Sequence, residues 1–259
     1  MKIGTSYSVQ ATLVASAICS TVLLAGCTTT PARKQTSEPA VLQATYTPEP
    51  VKIDGILNDA VWRTARTYPL SLGQNQVTAG EVLAGPGDVQ LAWDDKNFYL
   101  AITFHDSDII AEGEKDQLHH YLMGDVVELF LKPEGKTWYW ELYATPAGRK
   151  TSFWYPGRGR LGLESAWQYE CGLRVGADIK GTLNTWEDRD LYWTAEMAMP
   201  IEDLTSHGDS FRPDSDWRIL IARYNYSRYL PAKELSMAPR TPYADNHRYE
   251  EYGTLELVK

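Results

Sequence analysis

The sequence is short of cysteine, of phenylalanine and of positive charge. Three cysteines stand in 259 residues, too few for a disulfide framework or for a zinc site built on paired Cys-x-x-Cys units. Lys and Arg number 25 against 34 Asp and Glu, a formal charge of −9. That deficit argues against a nucleic-acid binder, whose phosphate contacts need clustered basic side chains. No apolar run has the roughly 20 residues and the flanks of a transmembrane helix. Gly-x-Ser-x-Gly, His-Glu-x-x-His and Cys-x-x-Cys-His are all missing, so the usual serine-hydrolase, zinc-peptidase and c-type haem signatures are excluded. There is no internal repeat.

What is abundant is the polar kind of aromatic residue. Nine Trp and 16 Tyr stand against five Phe. Tyr and Trp carry a polar tip on a flat apolar body, which suits β-structure and wet binding surfaces.

The first segment reads as an address. Lys2 gives a weakly basic start, Ala11 to Ala25 is apolar or small without a charge, and Leu24-Ala25-Gly26-Cys27 closes it. That run resembles a bacterial lipobox, in which Cys27 is lipidated and becomes the mature N-terminus. A plain secretory signal is the alternative. The residue after the cysteine is Thr28 and not Asp, which resembles lipoproteins sent to the outer membrane. Removing residues 1–26 takes away Lys2 and Cys19 and leaves 24 basic against 34 acidic side chains, a charge of −10. With lipid on Cys27, Cys171 has no partner for an intramolecular disulfide. Residues 28–45, rich in Thr, Ser, Pro, Ala and Gln, read as a flexible linker, and residues 46–259 as one domain.

Alternation dominates that domain. Val89, Leu91 and Trp93 share one parity, as do Phe98, Leu100, Ile102 and Phe104, and Asp94-Asp95-Lys96-Asn97 between them is turn chemistry. Further strands are expected over Thr151–Tyr155, Trp167–Val175, Tyr192–Met199, Trp217–Tyr226 and Thr254–Val258. One short helix is expected near Asn58–Ala65 with Asn58 as its cap, and a turn after Pro200. The pattern predicts an all-β, antiparallel β-sandwich.

A second hairpin, Asp125–Lys132 with Thr137–Thr145, is the most informative stretch. With Pro133 to Lys136 as the turn, Phe130 faces Tyr139 and Glu128 faces Glu141. Val127, Leu129, Leu131, Trp138, Trp140 and Leu142 then share a core face. Glu128, Phe130, Tyr139, Glu141 and Tyr143 share the other. Directly opposed carboxylates repel, so a cation, a basic side chain, a shared proton or a polyhydroxyl ligand is expected between them, unless both point into water beside a Lys or Arg. The assignment depends on register, because a slip of one exchanges the faces.

Other motifs read as appearance only. Gly157-Arg-Gly159-Arg-Leu-Gly162 has the letters of a dinucleotide fingerprint but lies among strands, not in a βαβ unit. With Arg149, Lys150, Arg158 and Arg160 it makes a basic island that could suit an anionic sugar. His119, His120, His105 and Met123 suggest a metal or haem, against the blander reading of solvated loop histidines. Asp106 and Asp108 offer hard oxygens suited to calcium, against an ordinary acidic turn. Cys171, on a β-patterned stretch, reads as inert core.

Six ordered segments, Val51–Trp62, Leu91–Leu100, Gly124–Phe130, Tyr139–Gly148, Trp193–Pro200 and His247–Gly253, resemble the family 9 carbohydrate-binding modules and their DOMON-like relatives. The resemblance implies a sandwich of jelly-roll character, often calcium-bound, that holds the end of a glycan chain. The best-known members clasp the sugar between two Trp. At the first of those positions this sequence offers Tyr121, and at the second Asn246 and His247, with Tyr243 and Tyr249 near by.

The expectation is a non-catalytic carbohydrate-binding lipoprotein of the outer membrane, held by its lipid alone, whose partners include a glycan and polysaccharide-degrading enzymes. Tyr121, Tyr139 and Tyr143 would stack on sugar, while Glu128, Glu141 and Arg223 or His247 would bond hydroxyls. The alternatives are a structural domain with a decayed site, a glycoside hydrolase using the paired carboxylates, and a haem domain using Met123 with His119 or His247.

Overall fold

A computed structural model describes residues 40–259. The signal segment, Cys27 and most of the expected linker lie outside the described residues. Twelve strands follow: β1 Val41–Tyr46, β2 Thr67–Pro69, β3 Gly87–Trp93, β4 Asn97–His105, β5 Val126–Pro133, β6 Tyr139–Ala144, β7 Lys150–Tyr155, β8 Arg174–Lys180, β9 Tyr192–Pro200, β10 Trp217–Asn225, β11 Glu234–Ala238 and β12 Gly253–Val258.

Hydrogen bonding runs continuously in the order β7-β6-β5-β10-β12-β1-β3-β4-β9-β8, with β11 added to β10 and β2 to β3. The path folds over on itself at β1, so that two leaves face each other as a sandwich. The alternating residues of β3 and β4 (Val89, Leu91, Phe98, Leu100, Ile102, Phe104) meet those of β5, β6 and β10 (Val127, Leu129, Leu131, Trp140, Leu142, Ile219, Ile221) in one inner core. Each such side chain contributes about 1.5–3 kcal/mol when fully buried. The β3–β4 turn is set by Asp94, whose Oδ1 accepts the amides of Lys96 and Asn97 at 2.7 Å each, while Oδ2 accepts the Tyr99 hydroxyl at 2.6 Å.

Four expectations need correction. The linker read over 28–45 ends earlier, because residues from Val41 onward form β1. That strand runs parallel to both β12 and β3, so the sheet is not wholly antiparallel. The expected helix at Asn58–Ala65 is a 3-10 turn over Ala60–Arg63, with no side-chain cap. Gln90 Nε2 donates to the carbonyls of Trp62 and Ala65 at 2.8 and 2.9 Å, satisfying acceptors that the end of the turn leaves free. Short helical turns also occupy Gln74–Thr78, Glu164–Trp167 and Ile201–Leu204, the last following Pro200 as expected. Finally, the strand expected over Trp167–Val175 is a helical turn ending at Trp167 and then a loop, and β8 begins only at Arg174.

The outer faces are covered unequally. On the β3–β4–β9 face, Val51 to Ala65 packs as a flap. Glu196 holds it, accepting Trp62 Nε1 at 2.8 Å and the amides of Asp54 and Gly55 at 3.1 and 3.0 Å. Gly55 has φ of +82°, and a Cβ there would lie 2.3 Å from the Ala177 carbonyl carbon. On the opposite leaf, β5, β6, β7 and β10 turn aromatic residues outward into a second cluster, and this face carries the candidate site.

Candidate functional site

The β5–β6 hairpin keeps the expected faces but not the expected register. Glu128 pairs with Tyr143 and Phe130 with Glu141, two residues away from direct Glu–Glu opposition. A shift of two preserves side-chain parity, so Val127, Leu129, Leu131, Trp140 and Leu142 still enter the inner core. The connection is longer than a four-residue turn. Glu134 donates its amide to Asp216 O at 2.9 Å, and Trp138 Nε1 reaches Asp209 at 2.9 Å, which draws this loop away from the hairpin ladder. Glu128 and Glu141 therefore stand as diagonal neighbours on one face.

Above them is a cavity of about 270 Å³, whose lining includes Tyr121, Glu128, Glu141, Tyr143, Asn246 and His247. Phe153, Tyr155, Trp167 and Tyr224 add aromatic wall. Asn246 Nδ2 donates to Glu128 Oε2 at 2.8 Å, and the Tyr143 hydroxyl donates to Glu141 Oε1. Glu141 Oε2 has no hydrogen-bond partner among the described residues. His247 Nε2 lies 4.0 Å from it, and Nδ1 of the same ring is 2.9 Å from the Tyr139 hydroxyl. With Tyr139 donating, Nε2 carries the imidazole proton and turns it toward Glu141.

Burial governs the protonation of this pair. Desolvation pushes Glu141 up to about 7, against the pull of its Tyr143 hydrogen bond. Glu128 is pushed well above the usual carboxylate range by desolvation and then by the Glu141 charge. Desolvation also lowers His247, so the ring is neutral near pH 7. Near pH 7 the two carboxyls of the cavity floor thus share at least one proton, with no ion-paired Lys or Arg among the described residues.

Five of the seven sequence-predicted ligand residues, Tyr121, Glu128, Glu141, Tyr143 and His247, come together here. Tyr139 and Tyr143 are 0% and 1% exposed, so neither offers a free ring face for stacking. Tyr139 sits behind the cavity and orients His247. Arg223 is misplaced by the sequence reading. Its β10 position has the parity of Ile221, so the guanidinium enters the inter-leaf core and pairs with Asp106 at 2.8 Å, far from any sugar role.

That pairing also bears on calcium. Asp106 is engaged by Arg223, and Asp108 accepts the Arg228 amide at 2.6 Å and faces its guanidinium at 3.3 Å. A guanidinium against each carboxylate does not fit a divalent cation, and no group of three or more metal-ligating side chains occurs among the described residues. The haem pairing is not assembled either, because His119 and His247 line the cavity while Met123 does not. His120 is buried, its ring beside Gly113. The glycine-rich loop ends β7 and leads into the four-residue turn Glu164–Trp167, so no βαβ unit exists. Arg158 is spent on Glu250 at 2.5 Å, and Cys171 packs its sulfur 3.8 Å from that of Met199.

Sequence reasoning missed Trp167, Tyr224, Phe153 and His119 as lining residues. Phe153 and Tyr224 had a signal, because they alternate with core positions on β7 and β10. Trp167 had none, since it reaches the cavity through the loop that follows β7. Its ring meets His119 edge-on with centroids 4.7 Å apart, and Trp167 is 39% exposed.

Residues 53–154 match the model of the carbohydrate family 9 binding domain-like family. No curated protein matches the sequence. Among solved structures, a Bacteroides uniformis protein to which carbohydrate binding is ascribed aligns with a TM-score of 0.64 at 14% identity, over 85% of this chain and 100% of that one. A family 9 carbohydrate-binding module from Caldicellulosiruptor kristjanssonii aligns in its cellotriose complex with a TM-score of 0.55 at 12% identity, over 84% and 93% of the two chains. Its glucose complex aligns at 0.55 and 11%, over 84% and 95%. At these identities the structural likeness is one of fold.

Proposed function

We propose that this β-sandwich, whose residues 53–154 match the carbohydrate family 9 binding domain-like family, binds a glycan in the β5–β6 cavity without altering it. The observation that carries the reading is the convergence of Tyr121, Glu128, Glu141, Asn246 and His247 on one cavity, with Trp167 at its edge. Carboxylate acceptors at the floor suit hydroxyl donors, and aromatic walls suit the apolar faces of a pyranose. Trp167 and Tyr121, which keep exposed ring surface, take the stacking role. The modules of similar fold from C. kristjanssonii were obtained with cellotriose and with glucose, which sets the first ligands to try.

One observation favours a hydrolase: two buried carboxyls of raised proton affinity lie side by side. Both rise from the same sheet face at diagonal positions, however, whereas glycoside hydrolysis uses carboxyls that flank the scissile bond. Binding is the better supported reading. Isothermal titration with oligosaccharides is expected to give heats that Trp167→Ala weakens by about 1–2 kcal/mol, with the sugars recovered intact. No heat with any glycan at millimolar concentration would overturn the reading, and sugar cleavage would convert it to hydrolysis.

We infer also that the domain is exported and anchored by lipid on Cys27, supported by the Leu24-Ala25-Gly26-Cys27 run. Outer-membrane placement beside polysaccharide-degrading enzymes is the setting in which such a binder would act. Metabolic labelling with a radioactive fatty acid is expected to mark the wild-type protein and not Cys27→Ala. Equal labelling of both would refute the anchor.

A further inference from the structure

The floor of the cavity carries two carboxyls that no ion pair with Lys or Arg among the described residues neutralises. Glu128 and Glu141 are 2% and 3% exposed, and neither forms a salt bridge with Lys or Arg. Glu141 lines the cavity, and its Oε2 is buried without a hydrogen-bond partner. A buried carboxyl oxygen without a donor is costly, and the donor that best relieves that cost in the ionised form is one that is itself positive.

The rim shows what kind of group the walls accept. The Lys233 ammonium stands over the ring of Tyr224 at 4.5 Å from its centroid, with Tyr226 at 5.6 Å and Tyr121 at 6.0 Å. Tyr224 and Tyr121 are cavity walls. Three tyrosines, two of them cavity walls, thus gather round an ammonium beside a pocket whose floor is acidic. Lys233 itself is exposed and makes no salt bridge to either glutamate, so it leaves the floor unpaired.

We propose that the preferred ligand is an amino sugar, a glycan residue bearing a free protonated amine that bonds Glu141 Oε2 on the cavity floor between Glu128 and His247. The proposal rests on the glycan-binding reading of the same cavity and narrows it to a ligand class. A neutral hydroxyl can donate to Oε2 but leaves the charge in place. An acetylated amine is neutral and bulkier, and is discriminated against on both counts. Lys233 is a competitor for the same negative field, so its removal favours a cationic ligand and leaves a neutral one unaffected.

The test is isothermal titration of the full chain near neutral pH with three trisaccharides: β-linked glucosamine, its fully N-acetylated form and cellotriose. The glucosamine trimer is expected to bind at least about tenfold more tightly than the other two, with an advantage that shrinks at high salt. Glu141→Gln is expected to abolish that advantage, so that the variant binds the glucosamine trimer no more tightly than it binds cellotriose. Lys233→Ala, a change on an exposed loop, is expected to raise affinity for the glucosamine trimer alone by a few-fold. Cellotriose binding as tightly as the glucosamine trimer overturns the amine assignment and leaves glycan binding standing. No binding of any of the three, by wild type or Lys233→Ala, overturns both.

Discussion

At the scale of single residues, Glu141 shows how burial changes what a side chain can do. On an exposed strand it would be an ordinary anion; here it is 3% exposed, and burial lifts it from 4.5 to about 7. A carboxyl raised in this way keeps its proton in the folded state over a pH range in which the unfolded chain has released it. The folded state is therefore favoured at the lower end of that range, and the contribution is lost as pH rises through the folded value. Glutamine cannot titrate, so Glu141→Gln removes this contribution together with the push of the Glu141 charge on Glu128, while the lowered histidines, which act in the opposite direction, are present in both proteins. The variant is expected to gain on wild type by on the order of 5 °C in Tm between about pH 5 and about pH 8. Melting curves across that range check it, and a pH-independent gap would show that Glu141 bears no proton. Both glutamates were legible as site candidates because their parity separates them from the Val127–Leu131 core series. Their lack of a counter-ion was not legible, since it depends on which residues fill the space above the sheet.

The β5–β6 hairpin teaches the corresponding lesson for elements. Alternation determines which face a residue takes, because side chains change sides with every residue. It does not determine register, because shifts of two give the same faces. The turn residues Pro133-Glu134-Gly135-Lys136 point to a tight connection, and the chain adopts a longer one because Asp216 and Asp209, distant in sequence, bond the loop. The entry to β5 is constrained differently. Gly124 has φ of +134°, and a Cβ would come within 2.3 Å of Ile110 O, so only glycine brings Asp125 and the following strand in at that angle. β1 escapes the alternation pattern for a related reason. Its few apolar residues stand beside Thr, Gln and Pro, and its strand character comes from parallel partners on both sides. Such pairing leaves no local signature.

For the whole molecule, the two leaves are joined by more than apolar packing. Arg223 of β10 reaches across to Asp106 at the end of β4 at 2.8 Å, bonds the carbonyls of Gly85 and His105 at 3.0 Å each, and lies over the Phe104 ring. It is 0% exposed. Removing one member of a buried pair strands the other, at a cost of about 3–5 kcal/mol. Arg223→Ala is expected to lower stability by that amount in denaturant titration. Glycan affinity of the folded fraction should not change, because the guanidinium lies on the other side of the sheet from the cavity. A loss of glycan binding at unchanged stability would return Arg223 to the site.

Sequence by itself determined the quantities that are local or summed: alternation, turn chemistry, acidic balance and the order of the segments. Those suffice for an all-β sandwich and for the face carrying Glu128 and Glu141, because the strand period is a property of the backbone. The tertiary structure decided what fills the space over that face. Trp167 arrives from the loop after β7, Asn246 and His247 from the segment before β12, and Tyr121 from the turn before β5. It also decided that Arg223 points inward. A cavity is made by side chains that meet across long stretches of chain, and the desolvation that sets its charge follows from their packing, which no short-range pattern encodes.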